Sequence, residues 1–243
     1  MAFRKEYFDT FMLKASMYGE FNDPFDLVLG DYAESLSEDE RKAFYDAMPE
    51  HYNCPNYHYD TSLDIQAGVQ DSVSVMSFTR KFRNILMWSH YANNHTGVCI
   101  GYDYNCEFFK KKFSCNYSDE IGVIRKVEYT NERPKYFFPT DLVNDTREWF
   151  KKSKDWAYEK EYRILLPIKN AVCKNDRGEF IFLFEIDPKY IKKVILGCMM
   201  KEDDKKYIHE KLSRYNIHII EAEPHPAHYK LTFKKSNKIT LKD

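Results

Sequence analysis

Trp156-Ala157-Tyr158-Glu159-Lys160-Glu161-Tyr162-Arg163-Ile164-Leu165-Leu166-Pro167 passes from a polar, aromatic run into an aliphatic run that stops at a proline. The pattern predicts a strand that begins near Glu159 or Glu161 and ends at Pro167. Side chains alternate across a strand. Glu159, Glu161, Arg163 and Leu165 then share one face, and Tyr162, Ile164 and Leu166 the other. The Leu166 face is core. The opposite face sets two carboxylates and a guanidinium beside an apolar Leu165. Same-face neighbours two residues apart lie roughly 7 Å from each other, within reach of a bridging side chain. Arg163 so placed keeps Glu161 ionised and fixes its orientation. The same residues also read as a structural Glu–Arg cross-link on a half-exposed strand.

Composition bounds the rest. The 243 residues suffice for one large domain or two small ones, and 43% apolar content suffices for a core. No Gly/Ser/Pro-rich linker, internal repeat or low-complexity run interrupts the chain, which reads as a single domain over 1–243. With 19 Tyr and 18 Phe, many rings must sit half-buried, the Tyr hydroxyls finding partners. A net charge of −1 argues against a globally basic nucleic-acid binder and leaves room for a local basic patch. Cysteines at 54, 99, 106, 115, 173 and 198 form no Cys-x-x-Cys pair and match no zinc spacing, so no metal is expected. Met1-Ala2-Phe3-Arg4-Lys5-Glu6 leads into no apolar signal segment. No run of about 18 apolar residues is present to span a bilayer. These features lead to the expectation of a cytoplasmic protein with reduced thiols and no membrane partner.

Along the chain, Phe8, Phe11, Met12 and Leu13 either line a helix or belong to an irregular segment. Phe21-Asn22-Asp23-Pro24-Phe25-Asp26 is turn chemistry, expected to be pinned by Phe21 and Phe25. It is either a plain turn or a rigid loop lending Asn22 or Asp23 to a pocket. Ser37 and Glu40 fit a capping box ahead of a helix to about Met48. Residues 51–71, with His51 and His58, read as loop. Ser72 to Thr79 alternates as a strand, Val73, Val75 and Ser77 facing one way. Asn84 caps a short helix, Ile85 to Ala92, that ends at Asn93-Asn94-His95-Thr96-Gly97. A helix of barely two turns bearing Trp88, Ser89, His90 and Tyr91 on all sides must turn some of them toward a cleft.

Val98 to Tyr104 and Ile121 to Tyr129 read as strands, and Thr146 caps an expected helix from Arg147 to Lys154. Glu179 to Ile186 is a nearly continuous apolar strand, Val194 to Gly197 a short buried strand, 202–214 a helix, and Ile217 to Ile220 and Tyr229 to Phe233 closing strands. The lysine-rich tail, Lys234, Lys235, Lys238 and Lys242, is either simply solvated or, with Tyr229 and Phe233, a nucleic-acid contact. Strands outnumber helices and no βαβ rhythm repeats. The fold class is α+β, with an antiparallel or mixed sheet core and short peripheral helices.

Four segments together carry a resemblance: Phe21 to Asp26, Met87 to Ala92 with Gly97 to Ile100, Lys154 to Arg163, and Val194 to Gly197. Over roughly residues 20–200 they resemble the bacterial family catalogued as domain of unknown function 2971. Such proteins look like accessory products of phage-defence and toxin–antitoxin loci, which implies a neutralising antitoxin as partner. Glu159-Lys160-Glu161 at a strand start is also similar to the Glu-x-Glu motif of ADP-ribosyltransferases, and Ser77-Phe78-Thr79 to their Ser/Thr-bearing strand. That resemblance implies a split β-sandwich, NAD as substrate, and a second Glu, here Glu161, that holds the ribose 2′-hydroxyl as nicotinamide leaves. The superfamily's first-strand Arg or His has only Arg4 as a counterpart here, which leaves His90 and Tyr91 as candidates for the NAD anchor.

Breaking the glycosidic bond of NAD builds positive charge on the ribose, and a fixed carboxylate stabilises it best in a dry pocket. Glu161 takes this role with Glu159, His90 and Tyr91 as catalytic candidates. Ser77, Trp88, Ser89, Trp156, Arg163, Asn22 and Asp23 are the binding candidates, the tryptophans by stacking. No Gly-rich phosphate loop occurs, which argues against a Rossmann dehydrogenase or P-loop enzyme. The leading expectation is an NAD-dependent ADP-ribosyltransferase acting on a macromolecule, RNA favoured over protein. The alternatives are a metal-dependent nuclease or hydrolase using Asp23, Asp26 or Glu161 with His90, and a non-enzymatic nucleotide sensor.

Overall fold

The strand of the opening stretch spans Glu161–Pro167 and is buried on both faces: Glu161, Arg163 and Leu165 on one, Ile164 and Leu166 on the other. Glu159 does not join it. Lys154–Glu159 form a 3₁₀ turn that ends at Lys160, whose φ of 48° is left-handed and re-aims the chain into the strand. A left-handed residue breaks the period-two alternation. The two glutamates therefore do not share a strand face as expected.

The computed structural model describes residues 1–17, 19–28, 30–31, 36–46, 73–112, 121–133, 135–136, 146–176 and 179–236. The expected loop 51–71 with His51 and His58, and the tail residues Lys238 and Lys242, lie outside them. Contacts group into two compact units. One comprises Met1–Leu13, Thr79–Phe109 and Leu183–Asp243, the other Lys14–Phe78 and Lys110–Phe182. Each unit is assembled from separate stretches, so no single cut divides them and no linker composition marks a boundary.

The first unit is built on a four-stranded sheet in the order Leu231–Lys235, His218–Pro224, Ile191–Leu196, Val98–Tyr102. Its central pair is parallel and the outer pairs are antiparallel. A parallel pair needs a crossover, here through the helix Glu202–Leu212, which opens with Glu202, Asp203 and Asp204 and ends near Lys211, each charge suited to the helix dipole. On one sheet face Val98, Val194 and Leu196 pack with Tyr7, Phe8, Ile208 and Leu212. On the other Ile195, Ala222 and Leu231 pack with Trp88 and Ala92. Each Val, Leu, Ile or Phe among them contributes roughly 1.5–3 kcal/mol by leaving water. The helix Ile85–Tyr91 starts as expected, with Asn84 Oδ1 accepting from the Leu86 N–H at 2.9 Å. Its end is left-handed at Asn93, Asn94 and His95, as the Asn-rich sequence indicated.

In the second unit Glu161–Pro167 is the middle strand between Val73–Thr79 and Arg125–Lys126. Ser74 donates to the Leu166 carbonyl and Ser77 to the Glu161 carboxylate, so the first two strands run in opposite directions. Leu27, Val73, Val75, Ile121, Trp149, Phe150 and Leu165 form its core. The helix expected over Arg147 to Lys154 is absent. Thr146–Phe150 is a 3₁₀ turn and Lys151–Ser153 a strand, paired in parallel with Glu128–Thr130. Ladder pairing and burial of both Trp149 and Phe150 override the local helical pattern. The expected strand Ile121 to Tyr129 breaks into Arg125–Lys126 and Glu128–Thr130 after Gly122, whose φ is 96°. Phe25 does not anchor its turn; it is exposed beneath the Arg133 guanidinium, and Phe21 alone reaches the core. Tyr229 is fully exposed and precedes the last strand rather than joining it.

The set is α+β with antiparallel and mixed sheets and short helices. Among the described residues no helix is long and apolar enough to cross a membrane.

One contact in the first unit is tight enough to test. The Gly197 N–H donates to the Gly97 carbonyl at 2.9 Å, and a Cβ at Gly197 would overlap the His95 and Gly97 carbonyl oxygens. Gly197→Ala is expected to destabilise the protein by about 1–3 kcal/mol, as overpacking does, read from the urea midpoint. An unchanged midpoint would show that the two segments are not this close.

Candidate functional site

The second unit buries a set of charges at the start of the Glu161–Pro167 strand. Arg163 is 0% exposed and Glu161 4%. The guanidinium grips Glu161 with two bonds, Nε to Oε1 at 2.6 Å and an Nη to Oε2 at 3.0 Å. It also reaches the Asp26 carboxylate at 2.6 Å and the Trp149 carbonyl at 3.1 Å. Lys152 adds a second cation, 2.8 Å from Glu159, 3.3 Å from Glu161 and 3.3 Å from Asp26. Its ammonium also lies 4.9 Å from the Trp156 ring centre, a cation–π contact. Ser77 donates its hydroxyl to Glu161 Oε1 at 2.7 Å, and the Tyr129 hydroxyl accepts from the Glu161 N–H at 2.8 Å.

Local chain geometry explains these positions. Period-two alternation puts Glu161 and Arg163 side by side. Parallel pairing of Lys151–Ser153 leaves Lys152 buried between its neighbours Lys151 and Ser153. The turn at Asp23, whose carboxylate accepts from the Phe25 N–H at 2.9 Å, delivers Asp26. The Asn-Asp-Pro segment thus supplies a residue to the cluster, but that residue is Asp26. Asn22 is exposed and Asp23 caps its own turn.

The electrostatics have a definite sign. Asp26, Glu159 and Glu161 face Lys152 and Arg163, three formal negative charges against two positive, all buried. Burial alone pushes the Glu161 carboxyl up; the Arg163 charge and hydrogen bonds, Lys152 and Ser77 outweigh it and hold it below its ordinary value. Burial likewise works against the Lys152 ammonium, and Glu161, Asp26 and Glu159 reverse it, raising its pKa. Arg163 is raised in the same way by Glu161 and Asp26. One oxygen is left over: Asp26 Oδ1 is buried without a hydrogen-bond partner. Glu161 is thus a fixed, ionised carboxylate. Ser77, the exposed residue in direct contact with it, marks the side on which the cluster meets solvent.

Of the residues singled out in the sequence, Ser77, Glu159, Glu161 and Arg163 come together, with Trp156 half-buried against Lys152. Trp88, Ser89, His90 and Tyr91 belong to the other unit. Trp88 is not an open stacking surface: it is 2% exposed, stacked on His95, and its indole N–H donates to the Phe82 carbonyl at 2.7 Å. Ser89 Oγ lies 3.1 Å from the His95 ring nitrogen. His90 and Tyr91 are exposed and pack edge to face. Among the described residues no three or more His, Cys, Asp or Glu are placed to hold a metal ion.

Residues 87–164 match the model of a family described as "Protein of unknown function (DUF2971)". That stretch is narrower than the 20–200 over which the resemblance was drawn. It includes Lys152, Glu161 and Arg163 and leaves out Asp26, Ser77 and Val194 to Gly197. No curated protein and no solved structure matches the chain.

The cluster makes stability depend on pH and on Arg163. The folded pKa of Glu161 lies below its ordinary 4.5, so its stabilisation is complete above that value and is lost as pH falls through the lowered one. Glu161→Gln is expected to flatten part of the acid limb of stability against pH. Arg163→Met leaves Glu161 and Asp26 facing each other and is expected to cost about 3–5 kcal/mol, read by urea unfolding at pH 7. A cost below 1 kcal/mol, the range of a surface ion pair, would contradict the buried geometry.

Proposed function

We propose that the chain is an NAD-dependent ADP-ribosyltransferase with Glu161 as its central carboxylate. The observation that carries this reading is the 2.7 Å bond from Ser77, on the strand Val73–Thr79, to Glu161, the second glutamate of Glu159-Lys160-Glu161 at the head of the neighbouring strand. It brings together the two segments that carry the resemblance to ADP-ribosyltransferases, the Ser/Thr-bearing strand and the Glu-x-Glu motif. It accords with a split-sandwich arrangement of those strands.

NAD is the substrate. The C1′–N bond to nicotinamide breaks and its electron pair leaves with neutral nicotinamide. An acceptor hydroxyl or amine then bonds C1′ and releases its proton to solvent. Glu161 stays ionised under the pull of Arg163 and Lys152, so it meets the cationic ribose as a carboxylate rather than as a neutral acid. Ser77 and Arg163 keep it from rotating. Glu159, tied to Lys152, acts on the same site through that lysine. The acceptor is a macromolecule, RNA before protein, and the setting is a cytoplasmic toxin or phage-defence effector restrained by an antitoxin.

One observation favours a second reading. Both Glu161 oxygens are already engaged and the residue is buried, as in a purely structural clamp. The two readings separate in one experiment, with nicotinamide release from NAD and transfer of adenylate label measured beside thermal melting. The enzyme reading expects turnover that EDTA does not abolish, a loss of roughly 10²–10³-fold in Glu161→Gln, the size of an electrostatic contribution to the transition state, and a smaller loss in Ser77→Ala with little change in melting. Absence of NAD turnover in the wild-type chain, with a lower melting point in both variants, would leave only the clamp.

A further inference from the structure

In the first unit, the described residues cover one face of the four-stranded sheet only in part. Alternation and register place Gly101, Lys193 and Ile195, His218, Ile220 and Ala222, and Leu231, Phe233 and Lys235 on that face. Trp88 and Ala92 cover the end that carries Ile195, Ala222 and Leu231. The other end is a groove of about 390 Å³ whose lining includes Phe82, Arg83, Lys193, His218, Phe233 and Lys235.

The groove is built as well as basic. Phe82 and Phe233 pack edge to face with centres 5.1 Å apart. The Arg83 guanidinium lies over both rings, at 5.0 and 4.9 Å. The Lys193 ammonium sits 4.7 Å from the Phe82 ring centre. Its stem crosses the neighbouring strand at Gly101, where a Cβ would come within 2.7 Å of the Lys193 Cγ, so a glycine there leaves the lysine its path. Among the described residues no carboxylate lines the groove; Lys234, at its rim, is paired outside it with Glu223 at 2.5 Å. Among the described residues Arg83, Lys193 and Lys235 form no ion pair.

We infer that this groove binds single-stranded nucleic acid. Uncompensated cations on an otherwise nearly neutral chain attract phosphates. An arginine laid on two phenylalanines offers a flat, charged surface on which an unpaired base stacks, and stacking of this kind tolerates any base. A duplex buries its base faces and cannot use that surface. The groove is small, near the bottom of the roughly 300–1,000 Å³ range of ligand pockets, and Arg83, His218 and Lys235 on its lining are exposed. It suits a strand lying across it better than an enclosed small molecule. The inference does not rest on NAD chemistry at Glu161.

The test is fluorescence anisotropy of a labelled 12-nucleotide uridine RNA with the full chain, across salt concentrations. The wild type is expected to bind with a log–log salt slope of roughly −2, about −0.7 for each of three phosphates neutralised. Arg83→Gln/Lys193→Gln/Lys235→Gln should bind at least tenfold more weakly with a slope near zero. Phe233→Leu should weaken binding several-fold with the slope kept, a split that electrostatics alone does not produce. The same strand annealed to an adenosine 12-mer should bind more weakly than it does alone. No binding by the wild type, equal binding by the triple variant with an unchanged melting point, or equal competition by poly-glutamate would overturn the proposal. Glu161→Gln should bind the RNA like the wild type, so failure here and failure of the NAD reading are separately visible.

Discussion

Arg163 is the constraint that organises the second unit. A guanidinium with no exposed surface must have its charge and its donors answered within the fold, because an unanswered buried charge costs several kcal/mol. Glu161, Asp26 and the Trp149 carbonyl answer it. Each of those partners lies on a different stretch of chain, so one side chain joins the Asp23 turn, the 3₁₀ turn Thr146–Phe150 and the strand Glu161–Pro167. A surplus of negative charge follows, and with it Lys152. The same ties that hold the fold keep Glu161 ionised and aimed, which is what an enzyme acting on a ribose that turns cationic requires of a carboxylate. Under the ADP-ribosyltransferase proposal, structural and catalytic demands fall on one group, which is why stability and turnover must be measured together.

The first unit is governed by close backbone approach and by apolar burial rather than by buried charge. Its sheet has a packed face, over Val98, Val194 and Leu196, and a face that the described residues cover at one end. Glycines at 97, 101 and 197 stand where a neighbour occupies the space a Cβ would take. At 97 and 197 that neighbour is backbone, and at 101 it is the Lys193 stem, which gives the open end of the face its cation.

Much of this was legible in the sequence where local chemistry and tertiary structure agree. The Ser37–Glu40 capping box, the Asn84 cap, the end of that helix at Asn93-Asn94 and the Glu161–Pro167 strand all form as read. So does the adjacency of Glu161 and Arg163, which follows from the pleat alone. What the sequence hid was set by distant partners. Lys152 sits in a run that looks helical, and its burial depends on pairing with Glu128–Thr130. Asp26 carries no local mark that separates it from Asp23, three residues earlier; only the guanidinium waiting for it does. Trp88 looked like a binding surface because its helix is short and aromatic all round, and the sheet beneath it decided otherwise. The basic groove was half visible, since Phe233 and Lys235 stand in the tail, but Phe82, Arg83 and Lys193 reach it from elsewhere in the chain.

The most direct measurement on the central claim is a carbon-13 NMR titration of the Glu161 side-chain carboxyl, assigned by its loss in Glu161→Gln, with and without NAD. The account predicts a pKa below 4.5 in the free protein and a resonance that moves when NAD is added. A carboxyl that titrates at or above 4.5, or a resonance indifferent to NAD at saturating concentration, would contradict it.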